Sequence, residues 1–394
     1  MKILENTNFC NGCTACASIC PQNCIVMQAD DGGFLFPEID DEKCNNCGIC
    51  QKTCPMNKSQ AERIKNTRTP NAFAVVNKNE KIRMQSSSGG VFTLFAEKII
   101  SENGVVFGAK FNDDFSVFHS FCETADGIAD FRGSKYVQSE MGDSYKKCKE
   151  FLQNERKVLF TGTPCQIGGL KAFLGKEHEN LICVDFICHG VPSPKFWLKY
   201  VDYVEKLNKS KTRKICFRRK GAWNKFSVSF TFANDTEYWK YPNKDEYFSY
   251  FFSNVCLRMS CYNCGYKTVS RTSDITIADF WGIQDIAPEM FDAIKGTSLV
   301  LVQSEKGEKI FDSVKSLADA LPTDLLKSVG QGKRNPVKES AATNSKKMHP
   351  NRSKFLKNLD KLPVNELIKR YVSPSFVRRG LRKIKRMLFK GGKK

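Results

Sequence analysis

Eight cysteines near the N-terminus have the types and spacing of a redox device. Cys10-x2-Cys13-x2-Cys16-x3-Cys20-Pro21 is followed by Cys44-x2-Cys47-x2-Cys50-x3-Cys54-Pro55. Each run matches the pattern that holds a [4Fe–4S] cubane. Three close thiolates wrap one side of a cluster, and the fourth cysteine of each run ligates the other cluster. The spacing assigns Cys10, Cys13, Cys16 and Cys54 to one cluster, and Cys44, Cys47, Cys50 and Cys20 to a second. Pro21 and Pro55 turn the chain away after the last ligand, since proline fixes φ and disfavours helix in the residue before it. Zinc is usually held by pairs of cysteines and not by triplets plus one. Cys24 is left over and reads as a buried free thiol.

Further along, four stretches could do chemistry. Ser86-Ser87-Ser88-Gly89-Gly90 precedes an apolar-periodic segment. Serines cap a helix start, glycines let a phosphate approach the backbone, and a helix N-terminus favours negative charge, so the stretch reads as a pyrophosphate cradle or as a plain N-cap. It is not a G-x-G-x-x-G fingerprint. Thr161-Gly162-Thr163-Pro164-Cys165-Gln166 follows a buried strand, where open α/β sheets bind ligands; its hydroxyls and the Gln166 amide could hydrogen-bond a planar heterocycle. Cys188-His189-Gly190 ends the next strand, and His189 offers a proton donor or a structural hydrogen bond. Cys256-x4-Cys261-x2-Cys264 again groups three cysteines. No cysteine follows Cys264, so a fourth ligand must come from upstream; Cys188 is preferred, ahead of Cys165 and Cys183. A third [4Fe–4S] cluster is the preferred reading and structural zinc the alternative.

These residues need elements to hold them. The chain has 394 residues, enough for two or three domains, and its hydrophobic share of 41% is that of a globular protein. Residues 1–57 form a small α+β two-cluster unit with an internal repeat, joined by a polar linker over 58–70. From 71 to 329, strand and helix patterns alternate. Strands are predicted at Asn71–Asn77, Val105–Phe111, Lys157–Gly162 and Leu181–Ile187, and helices near 91–100, 166–174 and 197–207. Ile215–Arg219 and Ser227–Ala233 read as an antiparallel addition, and Asp274–Phe280 as one more strand, which predicts an α/β domain with a mixed sheet.

The charge is uneven. Residues 331–394 hold 20 Lys and Arg against 3 Asp and Glu, a net of +17, which leaves +3 of the total +20 for residues 1–330. That balance decides against reading the whole chain as a nucleic-acid binder and marks 330–394 as a basic tail. Within it, Val377, Leu381, Ile384 and Leu388 share a helical face, with Arg378, Arg379, Arg382, Lys385 and Arg386 largely elsewhere. Such a basic amphipathic helix suits peripheral contact with an anionic membrane surface. The clustered cysteines and the lack of a visible secretory leader predict a cytoplasmic location, extending to the inner face of the membrane through the tail.

Taken in order, the double cysteine run, SSSGG, GSKYVQS (Gly133–Ser139), LFTGTPCQIGGLK (Leu159–Lys171), DFICHGVPSP (Asp185–Pro194) and C-x4-C-x2-C with DITIADFWGI (Asp274–Ile283) resemble the coenzyme F420 hydrogenase/dehydrogenase beta-subunit family, in its form with an N-terminal ferredoxin domain. The resemblance runs from Cys10 to about Ile283 and omits the tail. It implies FAD in the α/β domain beside an iron–sulfur cluster. Ser88, Gly89 and Gly90 would contact the FAD phosphates, and Lys135, Tyr136, Thr163 and Gln166 would line the isoalloxazine. Lys135 would stabilise negative charge on the reduced ring. The implied function is an oxidoreductase taking electrons from a low-potential, ferredoxin-like donor through the clusters to FAD. From there they pass to an unassigned hydride acceptor, either of the F420 type or a metabolite connected with cell-surface polysaccharide synthesis. The alternative is an electron-relay subunit whose chemistry belongs to a partner chain.

Overall fold

The computed structural model describes residues 2–64, 68–221, 227–330 and 348–372. In the N-terminal unit, α1 (Ala15–Ile19) and α2 (Ile49–Thr53) carry the third cysteine of each triplet, Cys16 and Cys50, and β1 (Ile25–Ala29) pairs antiparallel with β2 (Leu35–Ile39). Asp30 closes the hairpin by accepting the amides of Gly32 and Phe34. The turn docks on the body: Gly33 has φ +78°, and a Cβ there would lie 2.8 Å from the Lys195 nitrogen. The polar stretch after it contains α3 (Gln60–Arg63), started by a Ser59–Glu62 capping box. Arg63 reaches the Tyr266 ring, so the described part of that stretch is tied to the body and is not a bare spacer.

The body is built on an eight-stranded mixed sheet. Its strands are β3 (Asn71–Asn77), β4 (Val105–Phe111), β5 (Val117–Cys122), β6 (Val158–Gly162), β7 (Leu181–Phe186), then β11 (Ile275–Asp279), β12 (Ser298–Val302) and β13 (Ala318–Thr323), in the order β13-β3-β12-β11-β7-β6-β4-β5. The four central strands β4, β6, β7 and β11 are parallel, and the flanking pairs are antiparallel. Burial on both faces explains their near-continuous apolar runs. Helix α4 (Glu80–Gln85) and α5 (Val91–Ser101) follow β3, with α5 packed through Leu94, Phe95 and Ile99 on one face; α6 (Ile128–Phe131) packs there too. The opposite face takes α7 (Ser144–Gln153) and α8 (Pro164–Leu174). The parallel core places the carboxyl ends of β6, β7 and β11 on one side of the sheet, the usual position of an α/β ligand site.

A second layer carries an aromatic core. Helix α9 (Pro194–Asn208), the three-stranded sheet of β8 (Thr212–Arg219), β9 (Ser227–Phe232) and β10 (Glu237–Lys240), and α10 (Glu246–Ser253) bury Trp197, Tyr200, Phe217, Phe230 and Tyr247 together. The short α11 (Met259–Tyr262) leads back to the main sheet, and α12 (Glu305–Val314) and α13 (Leu325–Gly330) flank it near its far edge.

Part of the expected tail belongs to this core. Helices Arg352–Lys357 and Val364–Tyr371, with the turn between them, bury Phe355, Leu359, Val364 and Leu367 against α9 and α10. Arg352 donates to the Leu257 carbonyl at 2.9 Å, and Lys195 pairs with Asp360 at 2.7 Å. The tail reading from residue 330 is therefore corrected over 348–372, where basic side chains cover a buried apolar face. The proposed amphipathic helix beyond 373 lies outside the described residues. Among the described residues no helix is long and apolar enough to cross a membrane.

Candidate functional site

The eight N-terminal cysteines form two neighbourhoods. The Cys13 thiol is pushed well up by burial and by Cys16, Cys10 and Cys54; Cys16 rises to about 12 through burial and the same Cys10 and Cys54. The second neighbourhood is a recess lined by Cys20, Cys44, Cys47 and Cys50. Thus each triplet faces the last cysteine of the other run, the crossed arrangement that the spacing predicts. Cys24 lines the second recess as well, 3.4 Å from the Cys20 sulfur. Among the described residues no three His, Cys, Asp or Glu side chains converge on one metal ion. A cubane, whose thiolates stand at separate corners, does not need such convergence.

A third thiol group lies in the body, with a different membership from the one expected. Burial pushes the Cys188 thiol well up, and Cys261, Cys165 and Cys264 push it further. Cys165 is raised to about 11 by burial and Cys264, and Cys261 to about 12 by burial and Cys264. Bare thiols in such surroundings stay protonated at neutral pH, and binding a metal cluster is what removes the proton. Cys256 is not part of this group. It sits fully buried in the aromatic core near Tyr247 and Tyr250, with its carbonyl held by the Ser193 amide. The expected trio of Cys256, Cys261 and Cys264 is corrected to Cys261 and Cys264, joined by Cys188 and Cys165.

Cys165 owes its place to α8. Thr163 is the N-cap and Pro164 opens the helix; the Thr163 hydroxyl lies 3.1 Å from the Cys165 sulfur. One turn along, Gly169 presses on the first cluster unit: a Cβ there would meet Cys13 Sγ at 3.0 Å. A Cβ on Gly168 would overlap the Tyr266 hydroxyl, whose proton is held up by burial and by Cys13, Cys165 and Cys264. The paired glycines of the sequence GGLK thus let two neighbours approach α8 closely, a role that their positions in a helix pattern did not reveal.

All four body thiols open into one cavity of about 770 Å³ at the carboxyl ends of β6, β7 and β11. Ser88, Gly90, Lys135, Tyr136, Thr163 and Gln166 line it, as do His119, Asp185, His189, Arg218 and Asp279; Gly89 does not. Gly89 is packed into the sheet end, where a Cβ would meet the Val75 carbonyl at 2.4 Å, and its amide donates to Ser298 Oγ. The serine hydroxyls are engaged locally, Ser87 with Ser134 and Ser88 with the Thr297 carbonyl. Gly90, at φ +86°, starts α5 with no side-chain cap, and Gly90, Val91 and Phe92 line the cavity. The α5 N-terminus thus offers its first amides to an anion.

The remaining expected contacts are mostly supports. Gln166 Oε1 accepts the Thr163 amide and its Nε2 donates to Ser139 Oγ at 2.9 Å, so the amide completes a capping box and is not free for a heterocycle. Ser139 also meets His119 Nδ1 at 2.8 Å, while His119 Nε2 meets the Thr161 carbonyl. Burial lowers His119 to about 4, so its ring is neutral. Lys135 is lowered to about 7 by burial and donates to the carbonyls of Asp130 and Arg132. Tyr136 receives Arg218 at 3.2 Å, and Arg218 forks onto Asp279 at 2.7 and 3.1 Å. Lys220 binds the carbonyls of Arg83, Ser88 and Lys295 behind the serine loop, and burial lowers it to about 8. His189 bonds Asn254 at 2.7 Å and lies on Phe251. Sequence reasoning missed Arg218, Asp279 and Lys220; the only signal was their place beside strand ends.

Residues 155–320 match the family model for the C terminus of the coenzyme F420 hydrogenase/dehydrogenase beta subunit, and residues 9–58 match a 4Fe-4S dicluster domain. No curated protein matches the chain. Among solved structures, a chain of the xenon-derivatised F420-reducing [NiFe] hydrogenase complex from Methanosarcina barkeri is similar at 17% identity, over 76% of this chain and 90% of that one, with a TM-score of 0.45.

Proposed function

For an iron–sulfur redox protein that joins a 4Fe-4S dicluster domain to the C-terminal domain of the coenzyme F420 hydrogenase/dehydrogenase beta-subunit family, we propose an electron-transferring flavoprotein reductase with three [4Fe–4S] clusters and FAD. One observation carries this reading: a single cavity is lined both by Cys165, Cys188, Cys261 and Cys264 and by the open N-terminus of α5. The fit is chemical. Four cavity-lining thiols suit a cluster, and an uncapped helix start beside Gly90 suits a pyrophosphate.

FAD, when bound, supplies the conversion between one-electron carriers and two-electron hydride chemistry. The chain's own residues do the rest. The amides at the start of α5 would hold the pyrophosphate, and Lys220 fixes the serine loop by binding three of the surrounding carbonyls. Arg218, held by Asp279, fixes the Tyr136 ring at the cavity wall. Lys135, lowered to about 7 by burial, would stabilise developing negative charge at the same wall in its protonated form. Phe186, Phe252 and Trp281 line the cavity while remaining partly exposed, which marks an entrance for an acceptor.

The electron donor is a low-potential, ferredoxin-like carrier that meets the more exposed Cys20–Cys47 side of the dicluster unit, where Cys47 faces solvent. The acceptor is a hydride-accepting small molecule. Anaerobically purified protein should contain FAD and about twelve irons per chain. Its flavin should bleach with dithionite and recover its colour with the correct acceptor. Protein that retains iron but no flavin after reconstitution with FAD would refute the flavoprotein reading.

A further inference from the structure

We propose that Arg258 is the internal counter-ion of the cluster held by Cys10, Cys13, Cys16 and Cys54 and raises that cluster's reduction potential. The proposal deepens the three-cluster reading above and rests on it.

Arg258 is fully buried. Its Nε donates to the Cys10 carbonyl at 2.7 Å, and Nη2 lies 3.6 Å from the Cys10 sulfur and 2.9 Å from the Leu35 carbonyl. Nη1 donates to Gln138 Oε1 at 3.2 Å, and Gln138 is itself fixed by donating to the Asn11 carbonyl. The guanidinium lies 4.2 Å from the Phe36 ring centroid. Room for it is built into the cluster loop: Gly12 has φ +67°, and a Cβ there would lie 2.8 Å from Arg258 Nη1.

What this arrangement lacks is a carboxylate. Among the described residues, every polar partner of Arg258 is a carbonyl, an amide oxygen or a sulfur, and none of the ion pairs includes it. A buried, unpaired cation is costly. Here the nearby anionic charge is that of the cluster thiolates. A cubane with four thiolates is net negative and gains one more negative charge on reduction. A fixed cation and a hydrogen bond to a ligand sulfur both favour the reduced form, which raises the potential. Arg258 also faces the body thiols, since it favours the charged forms of Cys165 and Cys261. It therefore stands where electrons leave the dicluster unit for the cavity, and it makes the cluster on that side the better acceptor.

The test is an EPR-monitored redox titration of the intact, reconstituted protein, with wild type, Arg258→Gln, Arg258→Lys and Phe36→Leu. The affected cluster is identified as the one whose signal is altered in Cys54→Ser. Arg258→Gln should shift that cluster's one-electron equilibrium at least tenfold toward the oxidised form, about 59 mV lower. The cluster of Cys20, Cys44, Cys47 and Cys50 should stay put. Phe36→Leu keeps the charge and should leave every midpoint unchanged. If Arg258→Gln loses iron, Arg258→Lys decides: a point charge that cannot span Cys10 and Leu35 together should give a smaller shift of the same sign. Unchanged midpoints in the variant that retains its clusters, or an equal shift in Phe36→Leu, overturn the proposal. Absence of [4Fe–4S] signals from the wild type would instead remove the cluster reading on which it stands.

Discussion

Replacing Cys165 and Cys256 by serine separates two accounts of the third cluster. The geometry groups Cys165 with Cys188, Cys261 and Cys264 and leaves Cys256 in the aromatic core. Cys165→Ser removes one of the four thiols that line the cavity, so about four of about twelve irons should go, leaving about eight. Its stability should change little apart from the lost cluster, because the position lines a cavity. Cys256→Ser should keep all about twelve irons. It places a hydroxyl at a fully buried site against Tyr247 and Tyr250. An unsatisfied buried hydroxyl costs about 1–3 kcal/mol, and the denaturation midpoint should fall accordingly. Iron and acid-labile sulfide analysis, alongside chemical denaturation of the same anaerobic samples, reads both effects. Loss of about four irons from Cys256→Ser, with Cys165→Ser retaining about twelve, would refute the grouping and restore the loop trio.

Three further outcomes follow from the same structure. Gly90→Ala forces a side chain into φ +86°, with its Cβ 3.1 Å from that of Asn77; it should cost about 1–2 kcal/mol and lower the FAD-to-protein ratio measured after desalting. His119, held near 4 against an ordinary value of 6.5, binds fewer protons folded than unfolded. Its contribution is present above pH 6.5 and is lost as pH falls toward 4. Between pH 7.5 and 5.5 denaturation should show a loss of about 1.4 kcal/mol from this site, which His119→Gln should abolish. Removing residues 373–394, which include 9 Lys and Arg, should abolish flotation with anionic vesicles, since each basic residue near the surface contributes about 1 kcal/mol; equal flotation of both forms would count against the membrane contact.

Much of the sheet is legible in the sequence, because central parallel strands are apolar on both faces. The predicted strands at 71–77 and 105–111 coincide with β3 and β4, and Lys157–Gly162 and Leu181–Ile187 differ from β6 and β7 by one residue. The flanking strands are less so. β12 is a five-residue run, and β5 carries His119 and two aromatic residues in an ambiguous pattern. The segment 348–372 was hidden for another reason: net charge describes its outward face, while Phe355, Leu359 and Leu367 turn inward.

At the site, close cysteine spacing was informative in the dicluster runs, where each triplet lies on one loop and the first turn of the helix that follows it. It misled at Cys256, because the next residue, Leu257, bridges Pro192 and holds the chain against the core. Cys165 sits 99 positions from Cys264 in the sequence, and only α8 brings the two together. The Thr163–Gln166 pair had two meanings in sequence, ligand contact and capping box, and the helix takes the second.

Helix α8 has a consequence for how the protein can move. Cys165 and Gly169 stand four residues apart on one face, the first beside the cavity thiols and the second against Cys13. One turn of helix, about 5.4 Å along its axis, thus fixes the span between two redox neighbourhoods. A carrier head that swings between docking positions would have to tear Cys13 from that turn. On the proposed electron path, transfer across this junction needs no such excursion, so its rate should be set by driving force and distance, and should be insensitive to solvent viscosity.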